Sequence, residues 1–499
     1  MLSILVCHSY FLSFDQKQRE RGKPYPPLAT LQVAAMLRNA GHRVFLFDSM
    51  LADGVEDYRD QLRAAQPQLV LFYEDTFNYL SKMCLGTMRS AACEMIGHAR
   101  RSGARVIAAG PDVSDAPAPY LLAGADLTLA GEGLFALLNL LPRLEREPRL
   151  PPVDLAAGLP GVAYLAGDKP VVSAGSKTLP NSLYSGFAAW DLVDMERYRS
   201  VWMKRHGYFS LNMAASRGCS FRCAWCAKPT WGNEYLQRSP TDVALEMTYL
   251  KRRFAPDHIW FADDIFGFKV DWVTEFSSEL EKAAGGVRFT IQTRADLLSE
   301  RMAHALADAG CREAWLGAES GSQKVLDAMN KGTTVAEIIA ARRRLEAAHI
   351  RVGFFIQLGY LGEELEDIQA TRELLHTARP DEIGVSVSYP LPGTRFHDLV
   401  KAQLGDKTHW EESNDLDMMF HGTYTSDFYR QIRNLLHEEI VLQSVPVDSP
   451  LGTASIQNQE HARRLRAIER RWSELIAREA EFRSPTRRAA ISGLRSCIK

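Results

Sequence analysis

The sequence predicts an α/β protein made of a doubly wound N-terminal domain, a six-fold strand–helix repeat closing a partial barrel, and a mainly helical C-terminal region. Three observations carry this. Five apolar β-type runs alternate with helical stretches up to about residue 141, and six more, each followed by a helical stretch, lie between about 208 and 390. After Pro392 the β pattern fades into charged amphipathic stretches. Strands alternating with helices build parallel sheets, and the two sets are far enough apart in sequence to form two.

The first set comprises Ser3 to Cys7, Val44 to Phe47, Leu69 to Phe72, Val106 to Ala109 and Leu127 to Ala130. Loops at Asp75-Thr76-Phe77, Gly110-Pro111-Asp112 and Gly131-Glu132-Gly133 follow strand ends, where open parallel sheets place ligands. Residues 1–145 therefore read as a Rossmann- or flavodoxin-like domain with a ligand at that edge. Residues 146–205, rich in Pro and Gly, read as a linker carrying a hairpin, with Gly161 to Leu165 and Pro170 to Ser173 on either side of Gly167-Asp168.

The second set occupies residues 206–396: Phe209 to Ala215, His258 to Ala262, Phe289 to Gln292, Ala314 to Gly317, Gly353 to Leu358 and Ile383 to Val387. One helix start is marked by Ser239 as N-cap, Pro240 in the first turn and Asp242 at the positive helix end. Residues 397–499 form the third region, with helices expected at Asp427 to Leu442 and Glu460 to Glu481 and a mobile tail from Ser484.

Composition narrows the function. A chain of 499 residues with 46% hydrophobic and 24% charged residues is expected to be multidomain and globular, and a formal charge of −2 gives no basic footprint for nucleic acid. A small-molecule substrate is favoured. No apolar run reaches the roughly 20 residues of a membrane-spanning helix, and Met1 to Phe14 reads as a first strand, not a signal peptide. Of eight cysteines, three crowd together and Cys7, Cys84, Cys93, Cys311 and Cys497 are scattered, which suggests a reducing cytoplasm and no role for the scattered five.

The crowded three are Cys219-Ser-Phe-Arg-Cys223-Ala-Trp-Cys226, on the loop leaving the first barrel strand. Iron–sulfur clusters commonly take four thiolates, so three without a nearby fourth leave one iron open, and an open position implies catalysis. Structural zinc is disfavoured because no second Cys/His pair follows.

This loop resembles the C-x3-C-x2-C signature of the radical S-adenosylmethionine (SAM) superfamily. The resemblance implies a [4Fe-4S] cluster on Cys219, Cys223 and Cys226, SAM on the open iron, and Trp225 near the adenine. It implies reductive cleavage of SAM to a 5′-deoxyadenosyl radical, fed by an external one-electron reductant of flavodoxin or ferredoxin type. Further matches run in order along the strand ends. Asp263-Asp264 resembles the motif that holds the SAM amino group, and Arg294 is placed to meet a carboxylate. Glu319-Ser320-Gly321 resembles the ribose-binding stretch, Gln357 to Gly359 the fifth-strand motif, and Tyr389 to Thr394 the closing turn.

The N-terminal domain resembles the cobalamin-binding domain of the B12-dependent radical SAM class, through Tyr25-Pro-Pro-Leu28, Gly41-His-Arg-Val and Ala130-Gly-Glu-Gly133. Cobalamin is then expected at Tyr73, Glu74, Phe77, Gly110, Gly131 and Glu132. No Asp-x-His-x-x-Gly occurs, so a lower histidine ligand is not expected. The resemblance implies methyl transfer from methylcobalamin to a small molecule. Cyclisation or rearrangement with the same cofactors is the alternative, because Ser413 to Tyr424 resembles a stretch of cyclase-like members. A non-catalytic cobalamin or redox sensor is a second alternative.

Overall fold

The structure, a computed structural model, describes residues 1–82, 86–175, 186–226, 234–405, 416–443 and 454–484. Cys84, Cys497, Ser413 to Asp415 and the tail beyond Ser484 lie outside the described residues.

The N-terminal sheet contains β1 (Ser3–Cys7), β2 (Arg43–Phe47), β3 (Leu69–Tyr73), β4 (Arg105–Ala109) and β5 (Leu127–Leu129), all parallel, in the order β2-β1-β3-β4-β5. Its strands are apolar on both faces, as a doubly wound sheet requires. Ile4 and Val6 face the helices Leu28–Asn39 and Leu134–Arg146, while Leu5 and Cys7 face Val55–Ala65 and Gly86–Arg101.

The hairpin expected in the linker is instead a continuation of this sheet. Strand β6 (Val162–Ala166) adds antiparallel to β5, with Thr128 opposite Ala163 and Leu129 opposite Val162, and β7 (Lys169–Val172) adds antiparallel to β6. A three-residue edge strand would otherwise present bare backbone donors and acceptors, and the hairpin covers them.

The second sheet is formed by β8 (Ser210–Met213), β11 (His258–Phe261), β12 (Arg288–Thr293), β13 (Cys311–Glu319), β14 (Arg351–Leu358) and β15 (Glu382–Val387), with the small antiparallel pair β9 (Ser216–Gly218) and β10 (Tyr235–Gln237) between β8 and β11 in the chain. All six are parallel in chain order and β8 and β15 are the two edges, so the barrel is partial. Leu211, Ile259, Phe289, Leu316, Phe354 and Ile383 fill the core beneath the outer helices. The helix Pro240–Phe254 starts as its sequence predicts, with the Ser239 side chain accepting from the Asp242 N–H at 3.1 Å.

The two sheets are joined at the N-terminal ends of the barrel strands. Trp202 Nε1 donates to the Pro24 carbonyl at 2.7 Å and Asn212 Nδ2 to that of Pro26 at 3.0 Å. Tyr25 Oη lies 3.1 Å from Ser210 Oγ, which lies 2.8 Å from His258 Nδ1, and His258 Nε2 lies 2.8 Å from Thr290 Oγ1. One polar chain thus runs from the N-terminal domain across three barrel strands.

In the C-terminal region the helices Ser426–Gln443 and Ala454–Ala477 pack together beside β15. Arg372 ties them to the barrel, pairing with Glu439 at 2.5 Å and with Glu469 while lying over the Trp472 ring. Among the described residues no helix is long and apolar enough to cross a membrane.

Candidate active site

The cysteine loop leaves β9 at the C-terminal ends of the barrel strands, and it is braced from several sides. The Ala224 N–H donates to the Met329 carbonyl at 2.8 Å, the Phe396 N–H to the Ala224 carbonyl at 2.8 Å, and Asn330 Nδ2 to the Arg222 carbonyl at 2.8 Å. Cys226 N–H closes a turn onto the Cys223 carbonyl at 3.3 Å. Cys219 is buried, and Cys223 and Cys226 are half-buried.

Arg294, from the end of β12, reaches this loop. Its Nη1 lies 3.7 Å from Cys223 Sγ, its guanidinium sits 3.7 Å over the Phe221 ring, and its Nη2 donates to the Lys331 carbonyl at 2.7 Å. Asp296 pairs with it at 2.9 Å. Arg294 is buried, so its charge acts on the sulfur with little screening.

Asp263 and Asp264 follow β11. The Asp263 carboxylate accepts from the Ala215 N–H at 3.0 Å and from the Ser216 hydroxyl at 2.5 Å, so it holds the entry to β9. Burial pushes its pKa up to about 7, against those two bonds. Asp264 beside it is half-buried. Glu319, in the left-handed region at φ 61, pairs with Lys331 at 2.8 Å inside the protein. Ser320 turns toward the helix Leu365–Ala378, with its Oγ 3.2 Å from Thr371 Oγ1.

Several buried polar atoms at this end of the barrel have no hydrogen-bond partner among the described residues: Trp225 Nε1, Gln357 Oε1, Glu363 Oε1 and Ser388 Oγ. Orphaned polar atoms are costly unless a ligand or water meets them, so the rim fits a polar ligand such as SAM. The thiolate set fits iron–sulfur chemistry. Among the described residues no three His, Cys, Asp or Glu side chains converge to hold a single metal ion, whereas a four-iron cluster distributes its thiolates over different irons. Gly359 is held by Glu363 through a 2.6 Å bond from its N–H, and a Cβ there would stand 3.0 Å from Met418, so the described part of the 413–424 stretch covers this turn.

At the edge of the N-terminal sheet the expected residues divide. Tyr73 belongs to the domain core: it is 1% exposed and its hydroxyl donates to the Glu132 carbonyl at 2.9 Å, so it braces the edge loop and does not line a ligand surface. Glu74 is buried, which raises its pKa, and accepts from the Ser9 N–H at 3.1 Å. A Cβ on Gly110, at φ 154, would stand 2.7 Å from Glu74 Cβ, so the glycine makes room for that side chain. The Gly131 N–H donates to Ser114 Oγ at 2.9 Å. Thr76 Oγ1 is buried without a partner among the described residues, one orphaned group that a cofactor at this edge would meet.

The residues that sequence reasoning missed lie between the two sheets. Arg217, two positions before Cys219, pairs with Glu132 at 3.1 Å, bonds Gln32, and lies 5.3 Å over Phe77. Glu132 and Phe77 thus face the barrel domain. Arg217, Lys331 and Asn330 belong to no spacing motif, and only the position of Arg217 beside the cysteines signalled it.

The Radical SAM superfamily profile matches residues 213–375. An uncharacterized methyltransferase of Pyrococcus horikoshii is 23% identical over 85% of this chain and 89% of its own length. The anaerobic magnesium-protoporphyrin IX monomethyl ester cyclase of Rubrivivax gelatinosus is 28% identical over 56% of this chain, which spans about half of the cyclase (49%). Among solved structures, the cobalamin-dependent SAM radical enzyme OxsB superposes with TM-score 0.65 at 16% identity, covering 93% of this chain and 71% of that one. The radical SAM methyltransferase TsrM of Kitasatospora setae superposes with TM-score 0.61 at 19% identity, covering 80% and 74%. These two share the fold, and the profile match spans the cysteine loop and barrel strands β11 to β14. Residues 213–375 thus match the radical SAM superfamily, and the chain is an enzyme.

Proposed function

We propose that this enzyme uses a [4Fe-4S] cluster, SAM and cobalamin to transfer a methyl group to a small-molecule substrate. The observation that carries the reading is the Arg217–Glu132 pair, which docks the ligand edge of the N-terminal sheet directly onto the strand that leads into the cysteine loop. The likeness to methyltransferases and to cobalamin enzymes supports it.

Cys219, Cys223 and Cys226 would hold the cluster, which supplies one electron for cleavage of SAM, and the edge loops at 74–77, 110–112 and 131–133 would hold cobalamin, which supplies the methyl group. The protein's own residues do the rest. Arg294 places a buried positive charge beside one thiolate. Asp263 fixes the strand from which the loop springs, while Asp264 is the less buried of the two. Gln357, Ser388 and Trp225 offer polar atoms to orient SAM. Substrate would enter between the two domains, where clefts collect ligands.

Cyclisation with the same cofactors is the second reading, favoured by the 28% identity to the cyclase. The test is anaerobic reconstitution with iron, sulfide and hydroxocobalamin, followed by metal and corrin quantification and a dithionite assay for 5′-deoxyadenosine. A Cys219→Ala/Cys223→Ala/Cys226→Ala variant is the control. Deoxyadenosine from the wild type alone, with stoichiometric corrin, is expected. Cluster and deoxyadenosine without corrin would remove the methylcobalamin mechanism. A product heavier by one methylene unit separates methyl transfer from cyclisation.

A further inference from the structure

Residues along the barrel strands alternate between the helical layer and the concave face. Ala314 and Leu316 of β13, Val352 and Phe354 of β14 and Ile383 of β15 lie in the core beneath the helices. Trp315 and Phe355 alternate with them, are half-buried, and belong to none of the hydrophobic cores. Their rings stack with centroids 4.8 Å apart and planes 30° apart.

Two glycines make this arrangement possible. A Cβ on Gly353 would stand 2.5 Å from the Trp315 ring, and one on Gly384 would stand 3.4 Å from both rings. The indole therefore lies flat along the sheet, across β14 toward β15. Gln292 is the register partner of Trp315 on β12, so an amide borders the rings. Large aromatic side chains gain most from complete burial. A stacked pair left partly exposed on the concave face presents ring surface to an incoming ligand.

We propose that Trp315 and Phe355 form a stacking floor for the planar, unsaturated part of the substrate, which makes the substrate class an aromatic or conjugated ring compound. This assignment rests on the proposed function, in which the reaction takes place at the end of the barrel that carries the cysteine loop. Stacking is tolerant of ring identity but not of puckering, because only a flat molecule keeps contact across the whole face.

The experiment is calorimetric titration of wild-type holoenzyme with 2-naphthoate and with decahydro-2-naphthoate, which share charge and carbon skeleton but differ in planarity, each with and without saturating SAM. Naphthoate is expected to bind about tenfold more tightly than the saturated acid, with SAM present or absent. Trp315→Leu is expected to remove that preference and Trp315→Phe to keep part of it. If Trp315→Leu does not fold, Phe355→Leu, which removes the stacked partner, takes its place. Equal binding of the two acids, no binding of naphthoate, or a preference that survives Trp315→Leu would overturn the proposal. So would one-for-one displacement of naphthoate by SAM, which would give the floor to adenine. Deoxyadenosine formation in the same wild-type preparation reads the proposed function separately. Its absence beside an intact stacking preference would count against the function and not against the floor, and the converse would count against the floor alone.

Discussion

The guanidinium of Arg294 stands 3.7 Å from the sulfur of Cys223 while its face rests on Phe221. Those two contacts, with the bond to the Lys331 carbonyl, fix a positive charge beside a thiolate that the proposed function gives to a cluster. A cluster gains negative charge on reduction, so a neighbouring cation favours the reduced form.

Replacing Arg294 by Gln should therefore make the cluster harder to reduce. A hydrogen bond to a charged group contributes about 1.5 kcal/mol or more, which for one electron corresponds to a shift of roughly 60 mV toward negative potential. A redox titration followed by electron paramagnetic resonance reads this directly. An unchanged midpoint would mean that Arg294 serves only to pack the loop.

The buried pair Arg217–Glu132 should be costly to halve. Glu132→Ala leaves a guanidinium uncompensated between the two domains, at about 3–5 kcal/mol of stability. Glu132→Ala/Arg217→Met should recover much of that loss. Chemical denaturation of the three proteins checks the order, and a double variant no better than Glu132→Ala would show that the charge is not what matters.

His258 predicts a pH dependence. Burial, with Lys23 nearby, lowers its pKa to about 4, well below the ordinary histidine value of about 6.5. In that window the unfolded chain binds the proton more readily than the folded one. The stabilisation is therefore complete above about pH 6.5 and lost as pH falls toward 4, by about 3 kcal/mol at the end. Melting curves of wild type and His258→Gln between pH 7 and 4 should converge on acidification; parallel curves would remove His258 as the cause.

Gly353→Ala would press a methyl group against the Trp315 ring, 2.5 Å away. Overpacking of this kind costs about 1–3 kcal/mol, visible as a lowered melting temperature. A Gly353→Ala/Trp315→Leu double variant should relieve it, and a double variant as unstable as the single would show that the ring is not the obstacle.

Much of the architecture could be read from the chain because parallel strands buried on both faces are continuous apolar runs, and such runs mark their own ends. The three cysteines at 219, 223 and 226 could be read for a similar reason, since the donors sit in one loop. What could not be read depends on contacts between distant segments. The hairpin at 162–172 was expected in a linker because nothing in its own sequence announces the bare edge of β5 that it covers. Tyr73 reads as a residue of the ligand edge, but strand alternation there turns on one residue and its hydroxyl donates to the Glu132 carbonyl. Glu319 reads as a site residue from its motif, yet nothing in that motif announces its left-handed backbone or the register shift between Gly317 and Glu319 against β14.

The short segment around Tyr25 carries a practical lesson about dissection. The backbone of Pro24 and Pro26 accepts hydrogen bonds from Trp202 and Asn212, and the phenol of Tyr25 opens a chain that reaches Thr290 and, through it, Glu313. The barrel is thus not a transferable cassette. A fragment starting at residue 206 would lack both Trp202 and the segment that seats it, and would leave Ser210 and Asn212 of its first strand short of partners. Chimeras that exchange the N-terminal half with that of a relative should place the crossover so that residues 23–27 and 202–212 come from one parent.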